Sequence, residues 1–380
     1  MLTQQQTDTL IVGAGPAGLA VAGRLAQMGL PYLLLEKGEK IASSWHNHYE
    51  RLCLHTVKEH SDLPGMEMPE GYPTYVPRLD LIAYWEDYVR KMNISPLFGQ
   101  QVSKISRAEN GWRTETATHI FQSKNIVVAT GYNRTPYLPV WPGQEQFKGE
   151  FLHSHQYRSA APFAGKKVLL IGIGNTGAEL AIDLHEKGAF PAISVRGPVN
   201  FIRRDIAGRP AQNTAILLGK LPNWAYDFIA RQVQKMTVGD LTPYGIPKSP
   251  YAPSEQLRRF GKVPVIDLGT IDLIKQGKVK ILPDIQCFNE NSVTFKDGRT
   301  EPFDAVIACT GYRAQVEDFV ENGRALLSDW GYPSQLWYED KALRGLYFCG
   351  FSTPLSGILR NIKIDSGHIA MHIHSASASP

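Results

Sequence analysis

One unit of sequence occurs twice, and it restricts the fold more than any other feature. TLIVGAGPAGLAVAGRLAQMGLPYLLLEK sets a short apolar run (9–12) before Gly13, Gly15 and Gly18. A helix-like LAVAGRLAQMG follows, ending near Gly29, and then a second apolar run at 32–35. KKVLLIGIGNTGAELAIDLHEKGAFPAISVRG repeats that order. Its apolar run at 168–171 precedes Gly172, Gly174 and Gly177; a helix is expected from about 178 to 187 and a second run at 192–195. Short apolar runs joined through a helix read as buried parallel strands. Each unit therefore predicts strand–turn–helix–strand, and the chain an α/β fold.

The glycine spacing adds chemistry to that geometry. In G-x-G-x-x-G the first glycine permits a tight turn, the second lets backbone approach a pyrophosphate, and the third lets helix and strand pack closely. The helix N-terminus then offers free N–H groups and partial positive charge to phosphates. Candidate cofactor contacts are Gly13, Ala14, Gly15, Pro16, Ala17 and Gly18 in the first loop. Those of the second are Gly172, Ile173, Gly174, Asn175, Thr176 and Gly177. The second strands end differently. Glu36, followed by Lys37, comes directly after the run at 32–35, where an acid can accept from bare ribose hydroxyls. Arg196 comes directly after the run at 192–195, where a guanidinium suits a 2′-phosphate. The expectation is FAD in the first site and NADPH in the second, with hydride passing from nicotinamide to flavin.

Two further segments match each other. NIVVATGYNRTP (125–136) and DAVIACTGYRAQ (304–315) both carry an apolar strand into Thr-Gly-Tyr. Small residues at a strand end allow a sharp turn or a crossing, so Thr130 and Gly131 join the candidate cofactor contacts. The pairing predicts two Rossmann-like dinucleotide-binding domains, with the NADPH domain inserted into the FAD domain. The expected bounds are 1–160 and 304–380 for the FAD domain and 161–303 for the insert. LRGLYFCGF (343–351) and a helix over IDSGHIAMHIH complete the FAD side, where Asp365 is a candidate flavin contact.

Composition narrows the function classes. A formal net charge of +4 does not call for nucleic acid. Cys53, Cys287, Cys309 and Cys349 form no C-x-x-C pair, which argues against zinc and against a close-paired dithiol centre. Free buried thiols are expected instead. MLTQQQTDTL has no Lys or Arg for a signal peptide, and no apolar stretch approaches ~18 residues. A cytoplasmic protein without a transmembrane segment is the expectation.

The linker FKGEFLHSHQY (147–157) fits F-x-G-x-x-x-H-x-x-x-Y through Phe147, Gly149, His153 and Tyr157. With both glycine loops and the ATG strand, it makes the chain resemble class B flavin-dependent monooxygenases from Thr9 to about His374. The Baeyer–Villiger branch carries Trp in place of Tyr157. ASSWHNHYERLCLHTVKEHSDLPG, TYVPRLDLIAYWEDYV, GDLTPYGIPK and GKVPVIDLGTIDLIKQGKVKI are similar to the YUCCA-type indole-3-pyruvate monooxygenases.

The resemblance implies FAD, NADPH, O2 and a small-molecule substrate. It implies a C4a-(hydro)peroxyflavin as oxidant, with oxidative decarboxylation of an aromatic 2-oxo acid such as indole-3-pyruvate. N- or S-oxygenation of an amine or sulfide is the alternative outcome. It also implies that His55, where many family members have asparagine, and Thr56 are the catalytic candidates. Trp45 is a further cofactor contact, and His153 is a linker marker without a catalytic role.

The insert 201–262 is the expected substrate-selecting part. It holds Trp224, Tyr226, Phe228 and Tyr251 with Arg203, Arg204, Arg258 and Arg259, a set suited to an aromatic carboxylate. For NWAYDFIARQV, though, apolar spacing more often means core packing. A flavin disulfide reductase and a non-catalytic dinucleotide sensor are the rivals from other classes. The first lacks its C-x-x-C, and the second has no use for the linker pattern.

Overall fold

The computed structural model describes residues 2–378, and the chain divides into two compact units. The first comprises Met1–Asn47, Thr56–Thr135 and Tyr312–Pro380; the second comprises His48–His55 and Pro136–Gly311.

In the first unit the Thr3–Val12 strand pairs in parallel with Tyr32–Leu35 on one side and His119–Val128 on the other. Val102–Ala108 and Gly111–Thr116 extend the sheet antiparallel, and Leu346–Phe348 pairs in parallel with the far half of His119–Val128. Leu10, Leu35, Ile126 and Phe348 are wholly or almost wholly excluded from solvent in its core. The first strand starts at Thr3, well ahead of the apolar run at 9–12. Its polar half, TQQQTD, pairs with His119–Ser123 while staying partly exposed, so it carries no hydrophobic periodicity. The Pro16–Gln27 helix starts with Pro at its first position and is followed by Gly29 at φ +68°, the usual asymmetry of helix ends. The C-terminal helix Ile358–Ala378 starts earlier than IDSGHIAMHIH predicts.

In the second unit five strands run parallel in the order Lys280–Leu282, Phe190–Ser194, Lys167–Ile171, Ala305–Ala308, Glu150–His153. A three-stranded antiparallel sheet, Ile285–Phe288, Ser292–Phe295 and Thr300–Pro302, adjoins in sequence. The unit takes in 136–160, which the sequence reading places in the first domain, because the linker strand Glu150–His153 is an edge strand of this sheet.

The linker positions have structural work here. Phe147 packs edge-on against Phe288 with ring centroids 5.7 Å apart. A Cβ on Gly149 would lie 2.7 Å from the Asp304 carbonyl oxygen. His153 is buried, and burial lowers its pKa. As a neutral ring it donates from Nε2 to the Gly311 carbonyl at 3.2 Å and accepts at Nδ1 from the His155 N–H at 3.0 Å. Gly311 is the glycine of the second Thr-Gly-Tyr, so one motif grips the other. Tyr157, 1% exposed, donates to Asp183 on the Asn175–Glu186 helix at 2.6 Å.

Tyr157→Phe strands a buried carboxylate without its donor and is expected to cost about 1–3 kcal/mol. Denaturant unfolding of the variant reads that loss, and an unchanged midpoint would mean that Asp183 finds another partner.

One packing expectation fails. Asn223–Thr237 forms a helix, as its spacing predicts, but none of its residues is buried; Trp224 is 76% exposed and Phe228 62%. The apolar residues of NWAYDFIARQV are not a core. The thiols also differ from expectation: all four are free, but only Cys349 is buried and the others are partly exposed.

Candidate cofactor and active site

In the first unit the three fingerprint glycines have separable roles. Gly13 sits at φ +105°, and a Cβ there would come within 2.7 Å of the Ala129 carbonyl oxygen. A Cβ on Gly18 would come within 1.8 Å of the Gly13 carbonyl oxygen. Both glycines are demanded by the protein's own packing. Gly15 has no atom within 4 Å of its would-be Cβ, so nothing in the protein requires glycine there. The Pro16–Gln27 helix has no side-chain cap at Gly15 and no acidic residue in its first turn. Its leading N–H groups are left for an external anion.

Neighbouring groups fit the same ligand. Glu36 is 7% exposed; its Oε2 accepts from the Ala14 N–H at 2.9 Å, and its Oε1 from the Gly38 N–H at 2.9 Å and the Ser43 hydroxyl at 2.7 Å. A carboxylate has about four acceptor positions, so one remains for a ribose hydroxyl. Thr130 Oγ1, beside the Gly13 turn, is buried with no hydrogen-bond partner. Gly131 follows at φ +77° with open space around it. Ala14 and Ala17 are buried, so any ligand contact from them is through backbone, while Lys37 is exposed. Trp45 packs edge-on against Trp85 at 5.1 Å. Asp365 is 7% exposed, its pKa raised by burial, and it accepts from Asn361 at 3.0 Å.

The second unit repeats the construction. A Cβ on Gly172, at φ +104°, would come within 2.8 Å of the Cys309 carbonyl oxygen. One on Gly177 would come within 2.0 Å of the Gly172 carbonyl oxygen, while Gly174 faces open space. The Asn175–Glu186 helix is likewise uncapped and has no acid in its first turn. Asn175 Oδ1 accepts from the Ile266 N–H at 2.7 Å, which fixes the loop against the Val265–Asp267 strand. Ile173 is buried, and Thr176 is half-buried at the helix start.

Arg196 is exposed and makes no hydrogen bond or ion pair among the described residues. Lys262, which donates to the Pro198 carbonyl at 2.8 Å, has its pKa lowered by burial and then by the Arg196 charge. Two cations repelling each other at the end of the second strand make a ready phosphate seat. Lys262 is distant from Arg196 along the chain, at the far end of the insert, and has no local signal in the sequence.

The two catalytic candidates fall in different units. His55, of the second, pairs through Nε2 with Glu179 Oε1 at 2.8 Å. Glu179 is 1% exposed, and the Tyr49 phenol, its pKa held well above the ordinary value by burial and then by Glu179, donates to the other oxygen. Arg51 pairs with Glu186. With Asp183 held by Tyr157, the Asn175–Glu186 helix therefore presents acids at i, i+4 and i+7, each engaged by 48–55 or by the linker. That spacing, on one helix face, is the sequence signal for this docking, and it lies outside the glycine-loop and linker motifs. Thr56, of the first unit, shares a hydrogen bond with Ser61 at 2.9 Å.

The insert's arginines are not free for a carboxylate ligand. Arg203 donates to Asp267 at 2.6 Å and to Asp272 at 2.7 Å, which lowers the Asp272 pKa. Arg204 pairs with Asp205, Arg258 with Asp227 and Arg259 with Glu255. No group of His, Cys, Asp and Glu able to hold a metal occurs among the described residues, and none of their helices is long and apolar enough to cross a membrane.

Comparison with known proteins agrees with this geometry. Residues 10–206 match the sequence family described as pyridine nucleotide-disulphide oxidoreductase. Indole-3-pyruvate monooxygenase YUCCA1 of Oryza sativa subsp. japonica is 35% identical over 375 residues, 96% of this chain and 91% of that one. Indole-3-pyruvate monooxygenase YUCCA6 of Arabidopsis thaliana is 36% identical over 380 residues, 97% and 90% of the two chains. A flavin-containing monooxygenase from Stenotrophomonas maltophilia shares the fold with a TM-score of 0.73, covering 98% of this chain and 100% of that one at 21% identity.

Proposed function

We propose, from the premise that the chain belongs to the YUCCA-type indole-3-pyruvate monooxygenase family, that it converts an aromatic 2-oxo acid to the acid one carbon shorter. The chain is an FAD- and NADPH-dependent flavin monooxygenase. The net reaction in this reading takes the 2-oxo acid, O2, NADPH and a proton to the shorter carboxylic acid, CO2, water and NADP⁺. Indole-3-pyruvate is the substrate the relatives are named for, and indole-3-acetate would be the product.

The carrying observation is the pair of uncapped glycine loops with open second glycines, one ending at a carboxylate and the other at two cations. When bound, FAD accepts the hydride and supplies the oxygen activation. The chain's own residues bind and place the two dinucleotides. In this reading the loop of Gly13–Gly18 holds the FAD pyrophosphate, Glu36 the adenosine ribose, and Thr130 with Gly131 the adjoining backbone. Trp45, Lys37 and Asp365 flank the same ligand. The loop of Gly172–Gly177 holds NADPH, with Arg196 and Lys262 on the 2′-phosphate. His55 and Thr56 are the catalytic candidates; His55, fixed by Glu179, acts through position and not as a free base. A cytoplasmic setting belongs to the same reading, supported by four free cysteines.

Oxygen uptake and NADPH consumption, measured with indole-3-pyruvate and separately with a tertiary amine and a thioether, test the substrate class. The expected result is one NADPH and one O2 per 2-oxo acid, with little turnover of the others. Amine or sulfide oxygenation with the 2-oxo acid untouched would overturn it.

A further inference from the structure

The first unit holds a cavity of about 410 Å³ whose walls include none of the glycine-loop residues. Those walls come from the later turns of the Pro16–Gln27 helix, the short Lys58–His60 turn with Asp62 just after it, and the first half of the Ile358–Ala378 helix. Arg24 lies roughly 13 Å down its helix from the phosphate-binding end at Gly15.

The charges on these walls are unevenly satisfied. Lys363 pairs with Asp62 through Oδ2, so the two charges offset each other, while Asp62 Oδ1 is buried without a hydrogen-bond partner. Arg24 and Arg360 do not share in such a pairing. The Arg24 Nε is buried with no hydrogen-bond partner. Arg360 is half-buried and makes no hydrogen bond or ion pair among the described residues. It also sits in the first turn of its helix, where the dipole disfavours a cation, and that turn has no acid to offset it. Glu59 is exposed at the edge. His60 and His368 complete the walls. The Arg24 guanidinium as a whole makes no hydrogen bond or ion pair among the described residues, so an anion in the cavity would give its terminal nitrogens an acceptor and would neutralise Arg360 at the helix start.

We propose that this cavity binds a small polyanion, with two carboxylate or phosphate groups received by the Arg24 and Arg360 guanidiniums. Guanidinium forks suit both chemistries, because each presents paired donors to two oxygens of one group. The site is separate from the monooxygenase reaction and stands or falls independently of the substrate assignment.

Isothermal titration of the FAD-loaded protein tests this, with saturating NADP⁺ present so that the second glycine loop is filled. Pyrophosphate and citrate are the two probes, compared at constant ionic strength. The expected result is one saturable site per chain with Kd below about 1 mM for at least one probe. A preference for pyrophosphate assigns a phosphorylated ligand, and a preference for citrate a polycarboxylate. Arg24→Gln with Arg360→Gln should weaken binding at least about tenfold while FAD content stays full. Arg360→Gln alone, at the half-buried position, gives the same direction if the double variant fails to fold. No saturation with either probe, or an isotherm unchanged in these variants, would overturn the proposal.

Discussion

Gly15→Val yields a folded protein without flavin. The expectation follows from the contrast among three glycines in one loop. A side chain at Gly13 or Gly18 runs into backbone oxygens of the protein itself, at 2.7 and 1.8 Å, so those positions report on folding. A side chain at Gly15 meets nothing within 4 Å, so the unliganded fold accepts it. In the proposed function that open space, above an uncapped helix N-terminus, is where the FAD pyrophosphate would sit. Purified Gly15→Val should therefore be colourless, with a far-ultraviolet circular dichroism spectrum like that of the flavin-stripped wild type. Gly18→Val should lose that spectrum as well. A yellow Gly15→Val protein with full flavin content would move FAD out of this loop.

Arg196→Ala removes most of the discrimination between NADPH and NADH. The Arg196 guanidinium has no partner among the described residues, and the neighbouring Lys262 ammonium is held at a lowered pKa partly by Arg196 itself. A 2′-phosphate placed there converts repulsion into two charge-assisted contacts. Losing one such contact costs on the order of 1.5–3 kcal/mol, which is roughly tenfold to over a hundredfold in kcat/KM for NADPH. NADH, which lacks the phosphate, should be nearly unaffected. Lys262→Ala should act in the same direction, and the two effects should not simply add because the residues share one ligand group. An unchanged cofactor ratio in both variants would remove this corner from the 2′-phosphate seat.

The dinucleotide architecture is legible because its signals are local. Strand, three glycines, helix and second strand follow one another without interruption each time, and the observed Tyr32–Leu35 strand matches its apolar run residue for residue. Features built by distant pairing are not legible. The polar half of Thr3–Val12 is a strand only because His119–Ser123 lies beside it. Lys262 reaches the Arg196 corner from the far end of the insert, a separation no motif encodes. Segment 48–55 leaves the first unit to engage Glu179 and Glu186 in the second, although its flanking residues on both sides stay with the first. His55 enters as a catalytic candidate through the family resemblance alone, because sequence shows a side chain and not its Glu179 partner. The insert misleads in the other direction. Its arginines suggest a carboxylate seat, yet each has an acidic partner, and its amphipathic helix leaves Trp224 and Phe228 exposed.

Incubation with ¹⁸O2, NADPH and indole-3-pyruvate tests the central claim most directly. The account predicts one ¹⁸O atom in the carboxylate of indole-3-acetate, with CO2 released and one NADPH consumed per product. Unlabelled indole-3-acetate, or NADPH consumption that ends in hydrogen peroxide with the 2-oxo acid intact, would contradict it.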